Sequence, residues 1–555
     1  MDNLIEKFAL ENALRFKGKA NPGAVMGSCI QQNPDLKKDM KSLAIKVNQV
    51  IKKINSMSLA EQKKKLEKIA PELLEKKKGE KKGLFDNYDI KELVVTAFPP
   101  EPSKYPHIGH AKALLVNYEF AKKFNGEFVL RFEDTNPELA KNEFYKVILN
   151  NLAWLEIIPD RIEYASDHMI DYYRFAEKLV SIGKAYVCTC SQEKVRESRM
   201  KGKACDCRYK HIEEHMIMWR NMHEMKPGDA ILRLKIDPKH KNSTMRDPTI
   251  FRIIKAEHPR LKNKFTIWPN YDFENSIMDG LQGITHRFRS KEFEMRNELQ
   301  RYIQKLLDLP ETEIYEFARF NMKGVPSSGR IIRDLIEKKE LVGWDDPTLT
   351  TLVALRRRGF TPEAIKSFVL STGITKNEST LTWDDLIVHN KRVLDATSNR
   401  YFFMHDPVRV RVQDAPSMNI ELKLHPEDPK RGKRSFKTDE LFFLSQTDIN
   451  HMKDKKLYRL MDCLNFVKKN GYFIFDSTDY ESFKKGGDKI IHWLPFNEKT
   501  IDVEIMMPDK KVISGIAESS VSKVREGDII QFERFGFCRL DEKGKTKLKF
   551  WFTHK

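Results

Sequence analysis

The sequence predicts a multi-domain chain with a helical N-terminal extension, an α/β core and β-barrels at the C-terminus. Three observations carry this. An apolar run at 92–95, the proline-punctuated string TAFPPEPSKYPHIGHAKA at 96–113 and helical spacing over 111–120 read as strand, loop and helix. A second strand at 126–132, GEFVLRF, ends in Glu133 and Asp134, the place where doubly wound sheets bind ligands. Beyond Arg400 the pattern changes to short alternating runs, VRVRV at 408–412, IELKL at 420–424 and GFCRL at 536–540, which read as barrel strands.

Length and composition bound the function. The chain has 555 residues, enough for several domains, and its 32% charged and 40% hydrophobic residues fit a water-soluble protein. A net charge of +19 favours a polyanionic partner through phosphate contacts and counterion release. No apolar run is long enough to span a bilayer, and MDNLIEKFAL lacks the basic-then-apolar layout of a signal peptide. Seven cysteines, four of them clustered, argue against a secreted disulfide scaffold. A cytoplasmic location with no membrane partner is therefore expected.

In chain order, Leu4, Phe8, Leu10, Ala13 and Leu14 have amphipathic spacing, 19–23 is a turn signal, and 43–54 is a second amphipathic stretch. The lysine-rich segment 63–82 reads either as a solvated helix face and tether or as an RNA-binding element. Pro106 can lead into a helix because it gives up no needed N–H. His107 and His110, three apart, place both rings on one side of the first turn, where free N–H groups and the helix dipole suit phosphate. Gly109 has no side chain to keep a flat ligand ring from the backbone. An isolated H-x-x-H would be ordinary α/β architecture, so the longer string matters.

Further on, Tyr172, Phe175, Leu179 and Ile182 mark a helix. Cys188 with Cys190, and Cys205 with Cys207 after an intervening fourteen residues, form two C-x-C pairs across one charged loop. Four thiolates complete a tetrahedral coordination sphere and leave no open position, so the expected metal is one structural Zn²⁺. The core resumes at 267–273 and runs through MDGLQGITHRFR at 278–289. The loop MKGVPSSGR at 322–330 carries two serine hydroxyls, Ser327 and Ser328, and a glycine that suit phosphate contact, or is a plain flexible loop. Arg356, Arg357 and Arg358 cannot share one helix face, so at least one faces solvent or RNA.

The string FPPEPSKYPHIGHAKA, followed by RFEDTNPE at 131–138 and the block 267–289, resembles the signatures of class I aminoacyl-tRNA synthetases, closest to the glutamyl/glutaminyl branch. The N-terminal helices and the C-terminal run 526–537 are similar to those of archaeal-type glutamyl-tRNA synthetases. The resemblance implies a Rossmann-like catalytic core with an inserted acceptor-binding domain. Its layout would be 1–90 extension and linker, 91–167 first half of the catalytic domain, 168–267 acceptor-end-binding insertion with the cysteine cluster, 268–322 second half, 323–399 phosphate loop and helical bundle, and 400–555 two anticodon-binding β-barrels.

It also implies roles. His107 and His110 would be catalytic and contact ATP phosphates, with Pro99, Gly109, Ser327 and Ser328 also binding ATP. Glu133 would face the substrate α-amino group and Tyr271 would line the side-chain pocket. Arg289 would select a γ-carboxylate over an amide, because a carboxylate wants a guanidinium. The implied reaction is ATP-dependent attachment of glutamate to tRNA(Glu) through glutamyl-adenylate, with Mg²⁺ assisting, in a monomer; tRNA(Gln) is a second candidate acceptor. A glutaminyl-tRNA synthetase and a catalytically weakened tRNA-binding paralogue are the alternatives. Two departures bear on the choice. Ala97 stands where the family usually has an arginine that binds the amino acid, and Ser327, Ser328 and Gly329 stand where its mobile loop has a lysine, leaving Arg330 or Lys323 to supply a catalytic cation.

Overall fold

In the computed structural model, which describes residues 2–16, 18–73, 83–326 and 328–555, the chain divides after Asn87. The N-terminal unit consists of the helices Asp2–Arg15, Pro22–Gln32, Met40–Asn55 and Leu59–Ile69. Of the amphipathic positions read from sequence, Leu10 and Ala13 are buried, together with Ile5 and Ala9, in a core shared with Leu43, Val47, Ile51 and Ile54, while Leu4, Phe8 and Leu14 pack against it partly buried. The turn signal at 19–23 starts a helix. Asn21 accepts a hydrogen bond from the Ala24 N–H at 3.2 Å, and Pro22 takes the first helical position. Lys63, Lys64 and Lys68 are exposed on the last helix, a solvated face, while 74–82 and Ser327 lie outside the described residues.

The second unit is built on parallel strands. Val95–Phe98, Glu127–Phe132 and Arg161–Tyr164 pair in parallel around the middle one. His286–Ser290 and Glu313–Phe317 form another parallel pair. Thr285 joins the two groups: its N–H donates to the Val95 carbonyl at 3.0 Å, and its hydroxyl accepts from the Val95 N–H at 2.8 Å. Helix Ile108–Lys123 buries Ala111, Leu114, Leu115 and Phe120. On it, Asn117 donates to the Phe288 carbonyl at 2.8 Å and accepts from the Phe288 N–H at 3.0 Å. One buried amide thus holds helix and strand in register.

Between these strands the chain forms a four-stranded antiparallel sheet, in the order Ala185–Cys188, Ile231–Leu234, Thr249–Ile253, Ile267–Pro269. Its core of Tyr172, Leu179, Trp219, Phe251 and Trp268 runs on through Phe273, Ile277 and Leu299 into helices Tyr271–Leu281 and Glu294–Leu306. Helices Leu352–Arg358, Pro362–Ser371 and Trp383–Thr397 pack against the other side, where Leu355, Ile365 and Phe368 share a core with Leu114 and Leu115.

The C-terminal alternation yields two seven-stranded sheets. The first runs Arg400–Tyr401, Ile529–Phe532, Gly536–Lys543, Lys547–His554, Thr500–Met506, Val512–Glu518, Phe403–Met404. The second is drawn from 407–495 and is centred on Tyr472–Ser477, with Asn465–Lys469 and Pro407–Gln413 beside it. Among the described residues no ladder joins the end strands of either, so the structure shows two β-sheet domains. Alternation reports that one face of a strand is buried; it carries no information on whether a sheet closes on itself. The run IELKL lies in neither sheet, because among the described residues Met418–Lys423 pairs only with Lys433–Thr438. No described helix is long and apolar enough to cross a membrane.

Candidate active site

A cavity of about 1130 Å³ lies at the carboxyl ends of the parallel strands, with Phe98, Glu133, Ser290 and Phe317 all on its wall. The antiparallel sheet region contributes Arg199, Thr244 and Arg252. Of the residues singled out from sequence, Pro99, His107, Gly109, His110, Glu133, Tyr271, Arg289 and Ser328 line it.

His107 is the N-cap of helix Ile108–Lys123, in extended conformation, and its Nδ1 accepts from the Gly109 N–H at 3.0 Å. His110 Nδ1 accepts from the His107 N–H at 3.1 Å, and the ring centroids are 3.9 Å apart. Burial first, then the charges of Lys104 and Arg319, pull His107 down to about 3. Burial, His107, Lys104 and Arg319 hold His110 well below its ordinary range. Both rings are therefore neutral, and because each Nδ1 is an acceptor, each Nε2 carries the proton as a donor. A Cβ at Gly109 would meet His107 Cε1 at 2.8 Å, so the missing side chain is what lets His107 fold over its own helix start. The turn is braced from the helical bundle: the Ile108 N–H donates to the Thr350 carbonyl at 3.0 Å, and the Leu352 N–H to the Pro106 carbonyl at 2.8 Å. Trp344 stacks on Tyr105 at 5.0 Å and 10°.

The amino-acid end is an ionic network. Glu133 accepts from Arg131 Nη2 at 3.1 Å and lies 3.6 Å from Arg287 Nη2. Burial pushes its carboxyl up, against the pull of those arginines. Asp279 takes Arg131 Nη1 at 2.8 Å and Arg287 Nη1 at 2.6 Å. Although burial opposes it, the two guanidiniums hold Asp279 below its ordinary value. Glu274, 1% exposed and with no hydrogen-bond partner for Oε1, is raised far by burial and by Glu133, and so is held as the neutral acid. Arg131, Asp279, Arg287 and Glu274 were not recognised from sequence. The one available signal was an arginine inside the apolar strand GEFVLRF. Asp134 turns away from the cavity: it accepts from the Tyr145 hydroxyl and from the Ser166 N–H and hydroxyl, each at 2.8 Å.

Arg289 is 6% exposed, and its guanidinium reaches only neutral groups, Gln300 Oε1 at 3.0 Å and Asn297 Oδ1; Nε has no partner. Among the described residues no carboxylate pairs with it. Tyr271 stands nearby, its phenol pushed up to about 12 by burial and Glu133, against Arg287 and Arg289. A buried guanidinium without a counter-charge is costly unless an anion arrives to meet it.

Ser328 and Gly329 line the cavity, whereas Lys323 and Arg330 are exposed and do not. Ala97 is buried with Val95, Val129 and Ile284, off the cavity wall. The four clustered cysteines do come together: their Sγ atoms lie within 4.8 Å of one another, Cys188 and Cys205 at 3.7 Å and Cys190 and Cys207 at 3.9 Å. A zinc–sulfur bond of about 2.3 Å sets tetrahedral sulfurs roughly 3.8 Å apart, so the donor set fits zinc.

Residues 93–396 match the family described as tRNA synthetases class I (E and Q), catalytic domain. Residues 398–472 and 490–541 match the anti-codon binding domain descriptions of the same family. The chain is 40% identical over 571 residues to the glutamate–tRNA ligase of Pyrococcus abyssi and 38% identical over 574 to that of Pyrococcus furiosus. It is 36% identical over 556 residues to that of Methanothermobacter thermautotrophicus. Each of these alignments covers 100% of both chains.

Proposed function

The chain belongs to the class I tRNA synthetases of the E and Q type, and from that premise we propose that its central cavity is where glutamate is activated by ATP and passed to tRNA. Its reaction is the attachment of glutamate to tRNA. The observation that carries the site assignment is Arg289, a buried guanidinium facing only neutral partners beside Tyr271. A γ-carboxylate supplies the missing charge; the neutral amide of glutamine does not. Glu133 then receives the α-ammonium, and its position 3.1 Å from Arg131 fixes the carboxylate for that role.

An α-carboxylate oxygen of glutamate attacks the α-phosphorus of ATP, the bond to the bridging oxygen breaks, and its electron pair leaves on pyrophosphate. His107 and His110 offer Nε2–H donors to phosphate oxygens as charge builds. Both rings are neutral, and each keeps its Nε2 proton as it donates. A ribose hydroxyl of the terminal adenosine then attacks the glutamyl carbonyl, and AMP leaves with the proton on a phosphate oxygen.

Binding of tRNA follows from the anticodon-domain matches, and tRNA(Glu) is the acceptor we assign. Arg199 and Arg252 on the cavity wall support a role for 168–267 in holding the acceptor end. Residues 400–555 are assigned to the anticodon as two barrels. For the first, support comes from the segment 400–404, whose halves pair with opposite ends of one sheet. One structural Zn²⁺ is assigned to Cys188, Cys190, Cys205 and Cys207. Mg²⁺ is assigned to the ATP phosphates; among the described residues no cluster of metal ligands lines the cavity, so no step is drawn through it. A cytoplasmic monomer completes the assignment. The test is aminoacylation of total tRNA with labelled glutamate and, separately, glutamine. Charging with glutamate alone is expected; charging with glutamine alone, or with neither despite tight tRNA binding, would overturn the reading.

A further inference from the structure

The loop 322–330 brings no cation to the cavity wall among its described residues, yet breaking the α-phosphorus bond loads negative charge on the departing pyrophosphate. A cation is already there from another element. Lys104 lies on the wall three residues before His107. Its stem runs against the loop: a Cβ at Gly329 would lie 3.4 Å from Lys104 Cδ and 3.5 Å from its Cβ. Among the described residues no carboxylate forms an ion pair with its ammonium, and the Glu101 carboxylate accepts from the Ser103 hydroxyl at 2.6 Å. Glu101 acts on it more weakly than burial does, and Arg319 and Arg333 add further positive charge. Its field reaches both signature histidines. The result is a part-buried lysine without an ion-pair partner among the described residues, packed against the loop at Gly329 on the same cavity wall as the histidine pair and Ser328.

We propose that Lys104 is the phosphate-binding cation of this enzyme, reaching from the signature turn to the place that a loop lysine would otherwise serve. This rests on the reading of the cavity as the ATP site. As the α-phosphorus–oxygen bond breaks, the electron pair stays on the pyrophosphate oxygen, and the Lys104 ammonium meets that charge by hydrogen bonding, with no proton transferred. Lys323 and Arg330 are exposed and off the cavity wall.

The test is glutamate-dependent ATP–pyrophosphate exchange by the full-length protein with tRNA present. Lys104→Met keeps the stem against Gly329 and removes the charge; the rate should fall on the order of a hundredfold, as for loss of one transition-state donor. The glutamate KM and tRNA affinity should hold, and Lys104→Arg should keep the greater part of the rate. Lys104→Gln serves as a second neutral variant, with tRNA affinity and thermal melting reporting the fold of each. Near wild-type exchange in the neutral variants, or a larger loss in Lys323→Ala or Arg330→Ala, would overturn the proposal. Undiminished exchange in His107→Ala would instead overturn the ATP-site reading beneath it.

Discussion

At the scale of single residues, the site works by holding charge where no protein group answers it. Among the described residues, Arg289 has two amide oxygens and no carboxylate. Truncating one partner of a desolvated charge pair costs about 2–5 kcal/mol. Arg289→Ala should therefore lose glutamate activation by a corresponding factor in kcat/KM while the ATP KM stays put; an unchanged kcat/KM for glutamate would remove Arg289 from the substrate pocket. The histidines hold the opposite state, buried and neutral. Their folded pKa values lie below the ordinary 6.5, His107 at about 3. The unfolded chain takes up these protons near pH 6.5 and the folded chain does not. The unfolded state therefore binds more protons in that window, and stability, complete above pH 6.5, falls as pH drops toward 3. Thermal melting across that range should show the loss, and His107→Gln should flatten it. Adenylation should show no inflection near pH 6.5 from these rings.

At the scale of elements, the two C-x-C pairs fold the loop between them back on the antiparallel sheet. Helix Gln192–Lys201 lies inside that loop and carries Arg199 to the cavity, where Arg199 donates to the Arg246 carbonyl at 3.1 Å and the Ser243 carbonyl at 2.9 Å. If zinc ties the cysteines, protein purified without chelator contains about one zinc per chain. Cys188→Ser should then weaken tRNA binding more than ATP binding, because the strain falls on the element that carries Arg199. Fully folded, metal-free protein with normal tRNA affinity would refute this. The spacing of the pairs was legible in the sequence because two C-x-C units across one loop have few other uses. Their partners were not: Arg233, which donates to Cys205 Sγ at 3.8 Å, lies on a strand far along the chain.

At the scale of the whole molecule, the three successive arginines divide their work. Arg358 is buried and donates to the Pro347 and Thr553 carbonyls, both at 3.0 Å, which docks the helical bundle on the C-terminal sheet. Arg357 pairs with Asp541 at 2.7 Å and Asp345 at 2.6 Å and lies over Trp551 at 4.2 Å. Arg356 is the exposed one. Arg358→Ala should destabilise by about 2–3 kcal/mol, since it leaves carbonyls without donors, and should lower the melting temperature. Arg356→Ala should leave melting alone and reduce the salt slope of tRNA binding by about one; a reversed pattern would exchange their roles. By itself the sequence determined the α/β core, the strand–loop–helix that carries His107 and His110, the cysteine pairs and the family resemblance, because each is a local pattern of spacing or a contiguous string. Only the tertiary structure decided that Glu133 faces the cavity while Asp134 serves Tyr145 and Ser166, that Arg131 and Arg287 share Asp279, and that Lys104 stands on the cavity wall where Lys323 and Arg330 do not. Those outcomes depend on which side chains from distant segments share a desolvated volume, and neither hydrophobic period nor motif spacing encodes that.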